Sequence, residues 1–354
     1  MVKDKLLNGG YTALNQASAV PTEIILEILA CLQPLDQLPV LLAFPSLAAL
    51  MTPRHICIDE HGNTTLHILA SLGDYVADIA KHLLPRVKDY IDCHNQRGET
   101  ALMYAAACGH ELTVRLLLKN NANVNAWKGY RTTALSYAVE NGHEAVVRIL
   151  LDQPGVNVNP WNKFRETPLL RAIKKGYHNI TKLLLAQKDI NPSFGDALDQ
   201  NALTLACMKG LEELFEILVS HEGMDINSPD YWQSTTVTYA AWHGHTNIVR
   251  RLLALGAEAD PTNSQGRTPL SYAAWALEAE IVELLLARDD VRADSVDECG
   301  RTPLSYASEG DSRVVVRLLL AHGARPDSVD IKGRTPISYA EQSGEEEILA
   351  LLTS

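Results

Sequence analysis

The sequence lacks features that define several large classes of protein. Among its 354 residues, the most apolar run, residues 40–51, is only twelve residues long and contains Pro45 and Ser46. A membrane-spanning helix needs about 20 apolar residues, so this run is too short to cross a bilayer. Basic residues are in the minority, because 31 Lys and Arg stand against 43 Asp and Glu, and the formal net charge is −12. A duplex nucleic-acid binder needs a basic surface, so this charge argues against nucleic acid as the main partner.

Cysteine is scarce and scattered. The six cysteines include no C-x-x-C pair and no compact spacing, which argues against a disulfide framework and against a zinc site. The first ten residues, MVKDKLLNGG, lack the apolar core of a secretory signal. Together these absences predict an intracellular protein, cytoplasmic or nuclear, with reduced thiols.

Recognised catalytic and cofactor motifs are missing as well. The sequence contains no G-x-x-x-x-G-K-[ST], G-x-G-x-x-G, H-E-x-x-H or G-x-S-x-G segment. The acidic residues Asp289, Asp290 and Asp294 follow a predicted helix, where polar side chains are typical of a solvated loop rather than a metal site. We therefore expect no catalytic residue, no bound metal and no cofactor.

A repeat of 33 to 36 residues organises most of the chain. Its clearest copies are GRTPLSYAA, GRTPLSYAS and GRTPISYAE, which begin at Gly266, Gly300 and Gly333. Weaker copies precede them, and there are nine repeats in all. The repeats are led by the residues at positions 64, 100, 133, 167, 201, 235, 268, 302 and 335.

Each repeat predicts two short antiparallel helices. The leading Thr can cap the first helix, and a following Pro suits its first turn because no hydrogen bond is lost there. In most repeats a glycine stands nine residues after the lead, as at Gly142 and Gly210, and suits a left-handed turn between the helices. A second apolar helix follows, as at residues 146–151. One repeat cannot bury both of its helices, so the repeats must stack into an all-α solenoid.

This pattern resembles the ankyrin repeat over residues 61–354. The resemblance implies an ankyrin-repeat solenoid of about nine helix-turn-helix units with short β-turn fingers, which binds partners on a concave face of fingers and first helices. The His of the family's T-P-L-H segment survives only as His67, and Ser replaces it in four repeats. Leu277 replaces the turn glycine and Asn201 the leading Thr, so irregular turns are expected there. The T-P-L-S-Y-A-A form resembles the ankyrin arrays of filamentous fungi.

Residues 1–60 carry no repeat and form a separate predicted module. The segment VPTEIILEILACL at residues 20–32 predicts a helix, and a second apolar helix follows Pro34 to about Leu50. This arrangement resembles an F-box, which implies docking on the small adaptor of a cullin ubiquitin ligase. The alternative is a simple N-terminal cap over the first repeat, because a solenoid needs its end covered. The residues that would contact the adaptor are Pro21, Ile24, Ile25, Ile28 and Leu29.

The aromatic residues indicate where a partner binds. All five tryptophans fall in the fingers or at the ends of first helices, and none is in a second helix. Aromatic side chains give a binding surface large contact area at low entropic cost. The alternative is that some of these rings fill gaps between repeats. The predicted binding face comprises Trp127, Tyr130, Trp161, Phe164, Arg171, Lys174, Lys175, Tyr231, Trp232, Trp242, His243 and Trp275.

The three basic residues of this set lie in the first helix of the fourth repeat, and we expect them to steer an acidic or phosphorylated peptide to the face. A solvated charged surface is the alternative. The leading functional hypothesis is a substrate receptor of a cullin ubiquitin ligase, which holds a target protein or peptide on the concave ankyrin face. A scaffold without ligase role is the second hypothesis. The third is an enzyme or binder that handles an apolar small molecule, with His243 and Asp230 as proton-handling groups.

Overall fold

The computed structural model describes residues 22–43, 45–52, 56 and 58–353, and only the backbone of residues 22–25, 28 and 75. Within these residues the protein has twenty α-helices and no β-strand, with two isolated β-bridges in the fingers. The fold class of these residues is therefore all-α, built from repeated pairs of helices, as predicted. The chain forms two compact units, Met1–Ile190 and Asn191–Ser354. Repeats 1–4 belong to the first unit and repeats 5–9 to the second.

The first two helices precede the repeats, and from the third onward first and second helices of successive repeats alternate. Those of the first unit are α1 (Thr22–Cys31), α2 (Pro34–Ala43), α3 (Thr65–Leu72), α4 (Ala77–Leu83), α5 (Ala101–Cys108), α6 (Glu111–Lys119), α7 (Ala134–Glu140), α8 (Glu144–Leu151), α9 (Pro168–Lys175) and α10 (His178–Leu185). Those of the second unit are α11 (Ala202–Lys209), α12 (Glu212–Val219), α13 (Thr236–Trp242), α14 (Thr246–Ala254), α15 (Pro269–Trp275), α16 (Ala279–Leu286), α17 (Pro303–Ala307), α18 (Arg313–Ala321), α19 (Pro336–Ser343) and α20 (Glu346–Thr353).

First helices of neighbouring repeats pack side by side within each unit, as α5 does on α7 and α13 on α15. Small residues make this close approach possible. Ala105, Ala138 and Ala240 are fully buried at the same position of their helices. Because protein interiors are close-packed, a larger side chain at these positions would force the helices apart.

The helix starts follow the predicted capping. The Thr167 side chain accepts a hydrogen bond from the Leu170 backbone N–H, and other leading residues do the same. Ser takes over the role of the missing His. The backbone N–H of Thr335 donates to the Ser338 hydroxyl, as that of Thr64 does to His67 Nδ1. The serine hydroxyl therefore completes the capping box in place of the histidine ring.

The two turns expected to be irregular are regular in shape. Asn201 caps α11 by accepting from the Thr204 backbone N–H, so the missing threonine changes nothing. Leu277 adopts a φ of 61°, the left-handed conformation that glycine has at the same turn of other repeats. The prediction of irregular geometry at these two positions was therefore wrong, although a leucine in this conformation is strained.

Eight of the nine fingers are closed by the side chain of one Asp or Asn. In the finger of repeat 3, Lys128 stands at this position, and backbone hydrogen bonds between Lys128 and Thr132 close the finger instead. In repeat 8, Asp297 Oδ1 accepts from the backbone N–H groups of Cys299 and Arg301, and Oδ2 accepts from the Tyr306 hydroxyl on α17. One buried carboxylate thus shapes the finger and holds it on the first helix. The same backbone contacts are made by Asp59, Asn95, Asn162, Asp196, Asp230, Asn263 and Asp330.

The N-terminal helices pack on the first repeats and belong to the first compact unit. The buried Gln37 on α2 donates to the Leu29 carbonyl oxygen and accepts from the Thr65 hydroxyl at the start of α3. Leu29 is itself fully buried, so the expectation that it contacts an adaptor on the surface was wrong. Pro21 and the side chains of Ile24, Ile25 and Ile28 lie outside the described residues.

The finger carboxylate provides a test of the fold. We expect Asp297→Ala to lower the free energy of unfolding by about 2–4 kcal/mol, because two backbone N–H groups and the Tyr306 hydroxyl lose their acceptor. Asp297→Asn should cost about 1 kcal/mol or less, since an Asn already closes other fingers. Urea denaturation followed by circular dichroism measures both. Equal losses for the two variants would contradict this role of the side-chain oxygen.

Candidate interaction site

Two fingers of the first compact unit expose large aromatic rings. They span residues 127–132 and 161–166, in repeats 3 and 4. Trp127, Tyr130 and Phe164 are 57%, 60% and 54% exposed, and Trp161 is 38% exposed. In the finger of repeat 4 the geometry explains this exposure, because the Asn162 side chain closes the finger from within and leaves the neighbouring side chains to point outward. These four predicted site residues are therefore all exposed aromatic rings on the fingers of repeats 3 and 4.

Cationic groups lie on the faces of these rings. The Arg131 guanidinium carbon is 5.9 Å from the Trp161 ring centre, and the Lys163 ammonium is 4.8 Å from the Phe164 ring centre. The first of these contacts joins the finger of repeat 3 to that of repeat 4. Cations in such positions are attracted to the electron-rich ring faces, which keeps both groups at the surface in a defined arrangement. We call the exposed set Trp127, Tyr130, Arg131, Trp161, Lys163, Phe164 and Arg165 the cationic aromatic face.

The predicted basic residues of α9 are ion-paired. Arg171 pairs with Glu140, Lys175 Nζ lies 3.3 Å from Glu140 Oε1, and Lys174 Nζ lies 2.8 Å from Glu166 Oε1. The hydrogen bond from Arg171 holds the pKa of Glu140 below its ordinary value. Their charge is offset locally, so these three residues anchor α9 to α7 and to the finger rather than supply an unopposed positive surface.

Positive charge nevertheless prevails on this side of the first unit. Residues 127–140 and 161–175 contain seven Lys or Arg and two Glu, in a chain whose net charge is −12. Glu99 from the preceding finger pairs with Lys128 and accepts from the Tyr137 hydroxyl. The exposed rim of these two fingers carries the cations of the cationic aromatic face.

The second compact unit carries a different surface, built from stacked rings. The Trp242 ring lies 5.0 Å from the Tyr272 ring of the next repeat and 5.3 Å from the His243 ring, in nearly parallel orientation. Trp275 lies 6.1 Å from Trp242 at a tilt of 48° and is 49% exposed. We call Tyr239, Trp242, His243, Tyr272 and Trp275 the tryptophan stack. Burial lowers the pKa of His243, and the nearby His245 adds to this effect. A neutral imidazole suits stacking against indole.

The finger of repeat 6 adds two exposed rings to the second unit. Tyr231 and Trp232 meet edge to face with ring centres 6.1 Å apart. The Tyr231 backbone N–H donates to the Leu198 carbonyl oxygen of the preceding finger, and the Ser264 N–H donates to the Trp232 carbonyl oxygen. Backbone hydrogen bonds thus fix the finger on both sides, while both rings project into solvent.

Arginines and tyrosines of repeats 7 to 9 alternate in a ladder of cation–π contacts, which the sequence analysis did not predict. Arg301 lies between the Tyr306 and Tyr339 rings, 3.9 and 4.2 Å from their centres. Arg267 similarly contacts Tyr272 and Tyr306. The three tyrosines are buried. The signal was the repeated G-R-T-P segment, since its Arg recurs in register with the Tyr of each first helix.

Asp230, which was proposed as a proton-handling group, closes its finger by accepting hydrogen bonds. Asp230 is buried, and its carboxylate accepts from the Trp232 and Ser234 N–H groups and from the Tyr239 hydroxyl. This is the finger-closing role found in the other repeats, so Asp230 does not serve as an acid or base there. Within the part of the chain that the structure describes, no group of three His, Cys, Asp or Glu side chains is placed to hold a metal ion. The helices of that part include none long and apolar enough to cross a membrane.

Comparison with known families agrees with the helical repeat. A family model described as ankyrin repeats, three copies, matches residues 66–162, 154–230, 228–294 and 278–354. These matches together cover residues 66–354 and begin after the N-terminal helices. No curated protein matches the chain.

Two tryptophans of the tryptophan stack are expected to differ in how much they stabilise the fold. We expect Trp242→Ala to lower the free energy of unfolding by about 2 kcal/mol, because its half-buried ring packs on Tyr272 of the next repeat. Trp275→Ala should change it by less than about 0.5 kcal/mol, since half of that side chain already faces solvent. Urea denaturation of both variants checks this. A larger loss for Trp275→Ala than for Trp242→Ala would show that the ring packing is assigned wrongly.

Proposed function

Because the chain belongs to the ankyrin-repeat family, we propose that it is a protein-interaction module whose partner binds to the exposed rings of the fingers and first helices. The observation that carries this proposal is the placement of the large exposed aromatic side chains. Tryptophans and tyrosines concentrate in these segments, and none of the five tryptophans lies in a second helix. Large exposed rings cost solubility, so their retention in one class of segment supports a role in binding.

The second helices offer the contrast that supports this choice. Their exposed sides carry ion pairs between neighbouring repeats, such as Arg251 with Glu216 and Arg313 with Glu347. Ion pairs of this kind are typical of a solvated surface and contribute little stability. A partner that buried them would have to desolvate charges, whereas a partner on the fingers buries apolar rings.

On this proposal the protein performs no chemistry itself. It would act by holding one partner at high effective concentration near a second partner bound to the same chain. The two described surfaces differ in chemistry, since the cationic aromatic face carries Lys and Arg and the tryptophan stack is nearly uncharged. Each can therefore select a different segment of a partner.

Affinity capture with matched variants tests the proposal. Partners recovered with the full-length wild-type chain are quantified against Trp232→Ala/Trp275→Ala, which removes two exposed rings and keeps Trp242 packed on Tyr272. The control is Val314→Ala, which trims a residue of α18 that is 56% exposed. We expect the ring variant to lose at least one partner about tenfold, because hot-spot rings contribute about 1–2 kcal/mol each, and the control to retain it. Equal recovery of every partner by all three proteins would contradict the proposal.

A ubiquitin-ligase receptor is the second candidate function. Two features support it. Helix α1 ends at Cys31 and α2 begins at Pro34, where the F-box-like sequence pattern has its break, and Leu35 beside this break is 49% exposed. The burial of Leu29 and the contact from Gln37 to Thr65 support the cap instead. The two roles are compatible, because helices that cover the first repeat with one face can bind an adaptor with another face.

Co-purification with the small adaptor of cullin ligases distinguishes the two roles. The full chain should bind the adaptor, and Pro21→Ala/Ile25→Asp should abolish binding while the circular dichroism spectrum is unchanged. Leu112→Ala, on the exposed side of α6, is the control and should bind normally. A folded wild-type chain that fails to bind the adaptor would leave the N-terminal helices as a cap only.

A further inference from the structure

The two compact units differ in charge. Residues 191–354 contain 26 Asp and Glu against 12 Lys and Arg, which gives the second unit a net charge of −14. Residues 1–190 contain 17 Asp and Glu against 19 Lys and Arg, a net charge of +2. The negative charge of the chain therefore belongs to the unit that carries the tryptophan stack. A field of this sign attracts cationic partners and raises their association rate.

The second unit already holds guanidinium groups against aromatic rings. In repeats 7 to 9 the residue before the leading Thr is an arginine, and it lies over the tyrosine of its own first helix. Arg301 lies 3.9 Å from the centre of the Tyr306 ring, and its Nη2 is 3.0 Å from the Glu309 carboxylate. Recognition of a guanidinium by a ring face and a carboxylate is thus built into this unit.

The ladder of arginines ends where the tryptophans begin. In repeat 6, Ser234 stands at the position of the ladder arginines. The Trp242 ring lies there between the rings of Tyr239 and Tyr272, 6.3 and 5.0 Å from their centres. The row of rings continues to Trp275, which is 49% exposed. Among the residues that the structure describes, no Lys or Arg lies over Trp275, so its exposed face is open to a cation of a partner.

A carboxylate lies at the end of the same ring stack. Glu278 stands between α15 and α16, and its carboxylate lies so close to Gly244 that a Cβ on this glycine would clash with it. Gly244 directly follows Trp242 and His243 of the stack. In repeat 6 a ring occupies the equivalent place, where His245 covers the turn glycine of repeat 5. Within the described part of the chain, the Glu278 carboxylate makes no hydrogen bond and no ion pair.

We propose that the tryptophan stack binds a basic segment of a partner protein, with an arginine of that segment over the exposed Trp275 ring and paired with the Glu278 carboxylate. The arrangement would repeat, with a partner's arginine, the contacts that Arg301 makes within the chain. The proposal deepens the interaction function above and rests on it. An acidic peptide was expected at the basic residues of α9, whereas the second unit favours a partner of the opposite charge.

The cations near the stack do not oppose a basic partner. The ladder arginines are ion-paired, since Arg267 Nε lies 3.5 Å from Asp297 Oδ2 and Arg334 Nη2 lies 2.9 Å from Asp330 Oδ2. Helices α13 and α15, which carry the stack, contain no charged residue. The helix ends and turns of repeats 5 to 8, residues 207–211, 241–245, 274–278 and 307–312, carry one cation and three acids, namely Lys209, Glu278, Glu309 and Asp311.

The test uses the full-length protein and a short peptide of alternating Arg and Ala with a neutral fluorescent label. Fluorescence anisotropy gives its affinity at low and at high salt. We expect a Kd below about 100 µM at low salt and weaker binding as salt rises. A peptide with citrulline in place of Arg keeps the shape and loses the charge, and it should bind about tenfold weaker. A Lys peptide should bind about threefold weaker, because a planar guanidinium stacks on a ring better than an ammonium does.

Matched variants locate the bound arginine. Glu278→Gln and Glu258→Gln remove the same charge from the second unit, but Glu258 lies in the exposed loop after α14. We expect the first variant to weaken binding of the Arg peptide about fivefold and the second to leave it within about twofold of the wild type. Trp275→Leu keeps an apolar side chain without a ring face and should also lose about fivefold, whereas Trp275→Phe should retain most of the affinity. The circular dichroism spectra should be unchanged in all four variants.

Four outcomes would overturn the proposal: no binding of the Arg peptide, equal or tighter binding of the citrulline or Lys peptide, equal affinities for the two Glu→Gln variants, or wild-type affinity for Trp275→Leu. If the Arg peptide fails to bind while partner capture still depends on Trp232 and Trp275, the interaction function stands and only the basic class of partner is rejected. Failure of both experiments rejects the two together.

Discussion

The structure depends on one side-chain interaction, the capture of backbone N–H groups by an Asp or Asn at the opening of eight of the nine fingers. In repeat 9, Asp330 Oδ1 accepts from the N–H groups of Lys332 and Arg334, while Oδ2 accepts from the Tyr339 hydroxyl. These hydrogen bonds hold the pKa of Asp330 far below its ordinary value although burial opposes this. The carboxylate is therefore ionised in the folded protein. A single buried group fixes the finger and docks it on the first helix, and the next repeat stacks on both.

This arrangement leaves the finger tips free to vary. Because the finger is held by its base, the side chains at the tip have no part in closing it, and they can be selected for contacts. The middle repeats use this freedom at a cost, since Arg131, Arg165, Asp199 and Gln233 occupy a conformation suited to glycine. Strained positions that could be relieved by a common substitution are expected where stability is exchanged for function.

The tertiary structure changes the meaning of the predicted binding residues. The sequence pattern grouped twelve residues into one face, but the rings of the first unit lie among cations, whereas those of the second unit stack on one another. Arg171 and Lys174 seemed to offer free positive charge, yet Glu140 and Glu166 neutralise them. Asp230 seemed a proton handler, yet it closes a finger like its counterparts in other repeats. Charge at a surface is decided by neighbours in space, and Glu140 reaches Arg171 from the preceding repeat.

The sequence by itself determined the repeat, the paired helices, their caps and the turns between them. These features follow from hydrogen bonds within a few residues and from apolar spacing, which a sequence displays directly. The ring-rich fingers could also be found, because tryptophans are few and recur in register. Only the tertiary structure decided which cations are paired, that Leu29 is buried, and that Arg301 lies between two tyrosines. Contacts such as that of Arg171 with Glu140 or of Arg301 with Tyr339 join side chains of neighbouring repeats, which meet only when the repeats stack.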